Sequence, residues 1–250
     1  MYSLKDKVAL ITGSITGLGK AIAERYAKLG ANIVLNDHKD TSAANEIIAG
    51  LNAKGIKAIA VQADISKSED VERLFSEAKN AFGKIDIVVA NAGIQLANVP
   101  VTELTDEQLD LLLSVNTKGT FLTLKNAAKH VEDNGRIIAI SSTTAFFPVE
   151  GFSLYGGSKR AVNNLVEVLA MEIGHRGVTV NTIVPFAVQN TGLFAQMPET
   201  GGFVDFAKAH NPMKRMAQPE DIANAAELLV SDLASFISGQ HIIVNGGARQ

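Results

Sequence analysis

Short apolar runs alternate with longer amphipathic stretches along the whole chain. Runs rich in valine and isoleucine lie at 7–11, 31–36, 56–62, 85–90, 136–141, 178–184 and 241–244. Helical periodicity marks 17–29, 41–54, 69–82, 106–130, 155–174 and 219–231. Near-continuous apolar strands are typical of a parallel sheet that is covered on both faces. The pattern therefore predicts one α/β domain, 1–250, with a doubly wound parallel sheet and helices on both faces.

Polar residues at fixed offsets mark several helix starts. Thr105 with Gln108, and Ser66 with Glu69, form capping-box patterns ahead of apolar helical positions. Pro219, followed by two acidic residues, is also typical of a first helical turn. These signals predict helices that begin close to the three positions.

Composition narrows the class of protein. The apolar fraction of 46% supports a large core, and the net charge of −3 gives no reason to expect nucleic-acid or membrane partners. The chain has no cysteine, which removes disulfides and thiolate chemistry, and its five histidines show no metal-ligand spacing. Apolar runs such as 85–90 are too short to span a bilayer, and no signal-peptide pattern opens the chain. We expect a cytoplasmic protein without a metal.

A glycine-rich turn follows the first apolar run. Gly13, Gly17 and Gly19 lie between the first predicted strand and the first predicted helix. Glycine there lets the backbone approach a pyrophosphate, and a helix N-terminus offers amide donors to an anion. Because the strand and the amphipathic helix flank the turn, the segment predicts a dinucleotide site.

Acidic residues after the second and third strands bear on the choice of cofactor. Asp37 is placed to accept hydrogen bonds from ribose hydroxyls and to repel a 2′-phosphate, which favours NAD. His38 and Lys39 form a cationic pair that could accommodate a phosphate, so NADP stays an alternative. Asp64, with the Ile65 backbone, is placed either to reach the adenine or to start a helix.

A tyrosine and a lysine four residues apart carry the candidate chemistry. Tyr155 and Lys159 would share one side of a helix, and Ser142 lies thirteen residues before the tyrosine. An adjacent ammonium is expected to lower the pKa of the phenol, which suits Tyr155 as a general acid and base. Ser142 is placed to hydrogen-bond a substrate oxygen and stabilise developing charge.

Five motifs occur in a characteristic order: Thr12-Gly13-x3-Gly17-x-Gly19, Asn91-Ala92-Gly93, Asn116, Ser142 and Tyr155-x3-Lys159. Together with Pro185 and Pro219 they resemble the short-chain dehydrogenase/reductase family over essentially the whole chain, in particular its 3-oxoacyl-carrier-protein reductase-like and glucose dehydrogenase-like members. The resemblance implies a single Rossmann-type domain with a seven-stranded parallel sheet. It also implies hydride transfer between NAD(P) and a carbonyl or alcohol, often in a homotetramer.

The resemblance assigns roles to particular residues. It implies Ser142, Tyr155 and Lys159 as catalytic residues, and an Asn116 that interrupts its helix and holds a water in a proton relay to Lys159. The implied cofactor-binding residues are Gly13, Ser14, Thr16, Gly17, Leu18, Gly19, Asp37, His38, Asp64, Ile65, Asn91, Ala92, Gly93, Tyr155, Lys159, Pro185 and Val188.

The stretch 186–216 is the least regular part of the chain, and we expect a substrate loop or lid there. Phe186 stands where the family usually has a glycine, next to the expected nicotinamide position. The family's following threonine corresponds by count to Asn190, or to Thr191 if one residue is extra. The chain also departs from ordinary helix composition at Gly156-Gly157, which close packing against a neighbour would explain.

Aromatic and methionine residues predict an apolar substrate cavity. Its expected residues are Ser142, Gln95, Phe147, Phe152, Phe186 and Phe194, with Leu96, Phe146, Val149, Met197, Phe203, Phe206 and Met213 as further candidates. This set favours a hydrophobic or alicyclic ketone as the small-molecule substrate.

Three other functions stay open at this stage. A 3-oxoacyl-thioester reductase using NADPH would need a basic surface for its carrier protein, and only Arg160 and Arg176 lie near the acidic pair 132–133. A sugar or polyol dehydrogenase is a second alternative. A non-enzymatic NAD-binding sensor is the third, although it could have lost proton-transfer residues that this chain retains.

Overall fold

A computed structural model describes residues 2–39, 42–196 and 202–248. Its strands are β1 Val8–Ile11, β2 Asn32–Asp37, β3 Ala58–Gln62, β4 Ile87–Ala90, β5 Arg136–Ile140, β6 Thr179–Pro185 and β7 His241–Val244. They form a seven-stranded sheet in the order β3-β2-β1-β4-β5-β6-β7, and every neighbouring pair is parallel.

The helices cover both faces of this sheet. They are α1 Gly17–Lys28, α2 Ser42–Asn52, α3 Ser68–Phe82, α4 Asp106–Leu112, α5 Thr120–His130, α6 Ser153–Ile173, α7 Gly202–His210 and α8 Pro219–Val230. Buried side chains of α1, α2 and α8 pack on one face, and those of α3, α5 and α6 pack on the other. The predicted doubly wound α/β domain is therefore confirmed. Within the described ranges, none of the helices has the length and apolar character needed to cross a bilayer.

The strand order determines where a ligand can bind. From β1 the chain winds outward through β2 to β3 and then returns to β4, which pairs with the other side of β1. In such sheets the connections diverge at this switch and leave a crevice at the carboxyl ends of the strands.

Two segments differ from the sequence prediction. The expected helix 106–130 is divided, because Leu113–Gly119 adopts a π-helical conformation between α4 and α5. The expected irregular stretch 186–216 contains α7, whose buried Val204 and Ala207 pack in a small cluster with Met216. A helix of nine residues gives only a short periodic signal. Other element bounds shift by only one or two residues.

The two capping-box predictions have different outcomes. Thr105 and Gln108 form the reciprocal pair at the start of α4, as predicted. The prediction for Ser66 and Glu69 is wrong, because the Ser66 hydroxyl donates to the Asp64 carboxylate at 2.7 Å instead of capping α3.

A small bridge closes the segment between β6 and α8. Val188 pairs with Ala217 as an isolated parallel bridge. The backbone N–H of Gln189 donates to the Ala217 carbonyl at 2.9 Å, and the N–H of Ala217 donates to the Ala187 carbonyl at 3.1 Å. The two ends of the expected lid are therefore fixed to each other beside the sheet.

The glycine pair in α6 has two different environments. A Cβ on Gly156 would lie 2.8 Å from the Thr144 carbonyl oxygen, whereas a Cβ on Gly157 would meet no atom within 4 Å. Close packing thus explains the first glycine and leaves the second without a packing reason.

These environments predict opposite effects of alanine on stability. Gly156→Ala should lower the free energy of unfolding, because the methyl group displaces the turn at Thr144. Gly157→Ala should raise it by up to about 1 kcal/mol through helix propensity. Thermal or urea unfolding of the two variants checks this, and a loss of similar size at both positions would contradict the packing argument.

Candidate active site

A cavity of about 680 Å³ opens at the carboxyl ends of the strands, a size typical of small-molecule sites. One end is polar and is lined by Asp37, His38, Asp64 and Ser66. The opposite end is apolar and is lined by Ile94, Leu111, Val115, Val149, Phe152, Phe186 and Phe194. Ser142, Tyr155 and Lys159 lie in the wall of the same cavity.

The turn between β1 and α1 borders the cavity with bare backbone. Gly13 has a φ of +60°, and a Cβ there would lie 2.9 Å from the Cα of Ala92. A Cβ on Gly19 would lie 2.6 Å from the Nδ2 of Asn91. α1 begins at Gly17, which also lines the cavity, and a helix N-terminus favours an anion. The turn therefore fits the pyrophosphate of a dinucleotide, as predicted.

Two side chains outside the predicted cofactor set, Thr12 and Asn36, hold this turn in place. The Thr12 hydroxyl accepts hydrogen bonds from the N–H groups of Asn91, at 3.0 Å, and Ala92, at 3.1 Å. The Asn36 carboxamide accepts from the N–H of Gly13 at 3.3 Å and donates to two carbonyls at the carboxyl end of β3. A lone asparagine at a strand end gives no sequence signal for this function.

Ser14 and Gly19, two residues of the predicted cofactor set, do not line the cavity. Ser14 is fully buried, and its hydroxyl accepts from the N–H of Asn36 at 2.9 Å. Gly19 packs behind the turn against Asn91. Both residues therefore support the turn through contacts with Asn36 and Asn91.

The carboxylate of Asp37 lies at the end of β2 and faces the polar part of the cavity. Its Oδ1 accepts from the N–H of Lys39 at 2.9 Å and lies 3.3 Å from Nδ1 of His38. The His38 side chain is 64% exposed, whereas that of Asp37 is 17% exposed. The cavity therefore presents a fixed acid with one solvated imidazole beside it.

Asp64 and Ile65 also line the cavity, after the end of β3. The Asp64 carboxylate accepts from the N–H and the hydroxyl of Ser66, at 3.0 and 2.7 Å. These bonds hold the segment between β3 and α3, whereas the first residue of α3 is Ser68 with Lys67 at its N-cap. Its contact with an adenine stays a prediction.

The N-terminal half of α6 presents Tyr155 and Lys159 to the cavity. The Lys159 ammonium donates to the Ile140 carbonyl at 2.9 Å and lies 5.9 Å from the centre of the Tyr155 ring. Ser142 follows β5, and its hydroxyl accepts from the Thr144 hydroxyl at 2.9 Å. The structure thus brings the three predicted catalytic residues together, and Thr144 is a neighbour that sequence analysis missed.

The pKa of Tyr155 shifts in the direction opposite to the one that the sequence predicts. Burial raises the pKa of Tyr155 to about 12, and the interaction with the Ser142 hydroxyl opposes that rise. Burial also lowers the pKa of Lys159 to about 8. The expectation that Lys159 lowers the pKa of Tyr155 is wrong for the protein alone, because desolvation dominates both groups.

Asn116 occupies the middle of the π-helical segment and is fully buried. Its carboxamide accepts from the N–H of Ile94 and donates to the Ile94 carbonyl, both at 2.8 Å. It also donates to the Ser158 hydroxyl at 3.1 Å. The predicted helix interruption is confirmed. A Cβ on Gly93 would lie 3.1 Å from the Asn116 carboxamide oxygen and 3.4 Å from the Lys159 nitrogen, so that glycine leaves space between them.

The segment after β6 resolves the ambiguity between Asn190 and Thr191. Pro185, Phe186 and Val188 line the cavity. Asn190 is exposed and has a φ of +58°, whereas Thr191 is buried in the cavity wall, with its hydroxyl donating to the Val188 carbonyl at 3.0 Å. Of the two candidates, Thr191 therefore lines the cavity, whereas Asn190 lies outside its wall in a left-handed conformation that asparagine tolerates.

Most predicted substrate residues lie where expected. Gln95, Phe152, Phe186 and Phe194 line the cavity, together with Val149. Phe147 lies outside the cavity wall, with its ring 6.5 Å from that of Phe146, so the cavity does not support its predicted contact with a substrate. The other candidates outside the wall are Leu96, Phe146, Phe206 and Met213. Met197 and the side chain of Phe203 fall outside the described residues.

Comparisons with known proteins agree with this geometry. A family model described as "Enoyl-(Acyl carrier protein) reductase" matches residues 13–249. A tetrahydroxynaphthalene reductase of Pestalotiopsis fici is 38% identical over 96% of this chain and 91% of its own length. A versicolorin reductase of Emericella nidulans is 36% identical over 99% of this chain and 97% of its own.

A solved structure is similar over nearly the whole chain. The short chain dehydrogenase from Burkholderia cenocepacia, in complex with NADP, has a TM-score of 0.91 at 33% identity and 98% coverage of both chains. The chain belongs to the short-chain dehydrogenase/reductase family. It is an NAD(P)-dependent oxidoreductase that acts on carbonyl or alcohol groups.

Proposed function

We propose that this enzyme reduces a neutral, largely apolar cyclic ketone. The observation that carries the proposal is the position of Ser142 and Tyr155 between the glycine turn and the apolar end of one cavity. Among the residues that the structure describes, the apolar end carries no acidic or basic side chain. A charged substrate would lose its hydration there without gaining an ionic partner.

In this mechanism the bound nicotinamide cofactor supplies the hydride. Tyr155 donates its hydroxyl proton to the carbonyl oxygen, and Ser142 donates a hydrogen bond to the same oxygen as negative charge develops. Lys159 keeps a positive charge beside Tyr155, which stabilises the phenolate left after proton transfer. Asn116 holds the loop at Ile94 and supports a proton relay to Lys159.

Replacing the general acid tests the mechanism. Tyr155→Phe should lower the rate of ketone reduction by about 100- to 10,000-fold and leave NAD(P)H binding largely intact, because the ring remains and the proton donor is lost. In the wild type, kcat/KM for reduction should be level below about pH 8 and fall above it, as Lys159 loses its proton. Steady-state rates and nicotinamide fluorescence measure both effects.

Tyr2 supplies the matched control for this substitution. Its hydroxyl donates to the Val230 carbonyl, and it is not a cavity residue. Tyr2→Phe should therefore retain activity. Near-normal turnover in Tyr155→Phe would refute the assignment of the general acid.

For the cofactor we propose a preference for NADH. The support is the Asp37 carboxylate at the polar end of the cavity, which disfavours a 2′-phosphate. The solvated His38 beside it leaves NADPH as the alternative, and the Burkholderia cenocepacia relative was crystallised with NADP.

Removing this acid should relax the preference. Asp37→Ser should tighten NADPH binding by about tenfold or more and weaken NADH binding, because one repulsive charge and two potential ribose contacts are lost. Glu24→Gln removes an exposed acid of α1 and should change neither. Fluorescence titration of each cofactor gives both constants. A wild type that binds NADPH more tightly than NADH would overturn the assignment.

A carrier-protein thioester is less favoured, because both candidate docking arginines are committed within the chain. Arg176 donates to Asp133 at 2.8 Å and also to the carbonyls of Ala128 and Val131. Arg160 donates to a carbonyl and lies over the ring of Phe146. Relatives named as reductases of versicolorin and tetrahydroxynaphthalene support a cyclic substrate instead.

A panel of three substrates tests this choice. α-Tetralone, a neutral bicyclic ketone, should give a higher kcat/KM than acetoacetyl-coenzyme A, and ribitol with NAD should give the lowest. Phe186→Gly should reduce the advantage of α-tetralone, because an aromatic wall of the cavity is removed. If acetoacetyl-coenzyme A is the best substrate, the thioester reductase replaces this proposal.

We further propose that 186–216 acts as a substrate lid, since Phe186, Ala187 and Phe194 belong both to that segment and to the cavity wall.

A cytoplasmic homotetramer is the proposed form of the enzyme. Exposed apolar side chains support assembly, among them Leu111, Phe121, Val168, Met171, Leu233 and Phe236. Light scattering distinguishes a 26.5 kDa single chain from a fourfold larger particle.

A further inference from the structure

The hydroxyl of Ser142 has a hydrogen-bond environment that is nearly complete without a substrate. Ser142 precedes a short 3₁₀ turn, Thr143–Ala145, at the end of β5. Its Oγ accepts from the backbone N–H of Thr144 at 3.2 Å and from the Thr144 hydroxyl at 2.9 Å. Both donors belong to one residue in the cavity wall.

A count of donors and acceptors shows which hydrogen-bond role the Ser142 hydroxyl has left for the cavity. A serine hydroxyl has one proton and two acceptor lone pairs. The two bonds from Thr144 use both lone pairs, so Ser142 has only its proton left to offer to the cavity.

This hydrogen-bond role matters for proton transfer. If Ser142 accepted a bond from Tyr155, the Tyr155 proton would point at Ser142 instead of at the carbonyl oxygen. A Ser142 that can only donate leaves the Tyr155 proton for the substrate and adds a second donor to the developing oxyanion.

We propose that Thr144 is a positioning residue that fixes Ser142 as a hydrogen-bond donor during ketone reduction. The inference rests on the proposed function of Ser142 and Tyr155. Thr144 acts through Ser142 and needs no contact with the reacting atoms.

The backbone around Thr144 keeps its hydroxyl in range. The carbonyl of Thr144 lies against α6 at Gly156, where there is no room for a Cβ. The turn is closed by the N–H of Phe146, which donates to the Thr143 carbonyl at 3.0 Å. The Thr144 side chain is therefore presented to Ser142 by a rigid turn.

The first test compares isosteric and conservative variants with α-tetralone as substrate. Thr144→Val keeps the backbone N–H and the side-chain shape but removes the second donor. It should lower kcat/KM by roughly three- to tenfold, mainly through kcat, with NAD(P)H binding and the unfolding midpoint unchanged. Thr144→Ser should restore most of the rate. Thr179→Val, at a buried threonine at the opposite end of the sheet, is the matched control and should resemble the wild type.

The second test needs no turnover. The chain has three tyrosines, so the carbon-13 resonance of the Tyr155 Cζ can be assigned by its loss in Tyr155→Phe. That resonance should shift in Thr144→Val, because Ser142 then alternates between donating and accepting, and should stay in place in Thr179→Val. An unchanged resonance together with a wild-type rate in Thr144→Val would overturn the proposal.

The two hypotheses fail in different ways. An active Tyr155→Phe enzyme would remove the proposed mechanism whatever Thr144→Val does. An inactive Tyr155→Phe enzyme beside a Thr144→Val enzyme with a wild-type rate and an unchanged Tyr155 resonance would retain the mechanism and remove only the positioning role.

Discussion

The close contact between the backbone of the turn at Gly13 and the backbone of Ala92 determines the geometry of the site. No side chain can fit between these two segments, so the ends of β1 and β4 must meet closely. Thr12 fixes the same meeting by accepting two N–H groups of the β4 end. This close contact also determines where α1 lies relative to Gly93. It therefore determines where α1 lies relative to Lys159, whose nitrogen is next to Gly93. An enlarged side chain at Gly13 would therefore disturb both the polar and the reacting parts of the cavity.

A second constraint is the burial of polar groups behind the reacting residues. Lys159 is almost fully buried and is held by the Ile140 carbonyl instead of a carboxylate, which destabilises its charge. Asn116 is buried as well, but its carboxamide is satisfied by Ile94 and Ser158. Burial of a charged group such as Lys159 lowers the stability of the fold, but it also fixes the protonation state of a group in the site.

The sequence predicts most of what depends on repeated local patterns. All seven strands and the parallel class follow from the spacing of apolar runs, and the grouping of Ser142, Tyr155 and Lys159 follows from their motif. The π-helical turn at Asn116 has no periodic signature of its own, and only the family resemblance indicated an interruption there. Burial of Tyr155 reverses the expected direction of its pKa, because desolvation depends on tertiary packing that spacing does not describe. Phe147 shows the same limit, since an aromatic residue near the site can equally turn away from it.

The bridge between Val188 and Ala217 has an evolutionary consequence. It joins the two ends of the long segment between Val188 and Ala217, here called the excursion, beside the edge of the sheet. Sequence changes within the excursion therefore need not alter the structure of β6 or α8. Residues of this excursion form part of the apolar wall, whereas Ser142 follows β5 and Tyr155 and Lys159 lie in α6. One part of the substrate wall is thus encoded apart from the proton-transfer residues, while Val149 and Phe152 lie close to Tyr155 in the sequence. Insertions or replacements between Val188 and Ala217 offer a route to new substrates with the reaction itself preserved.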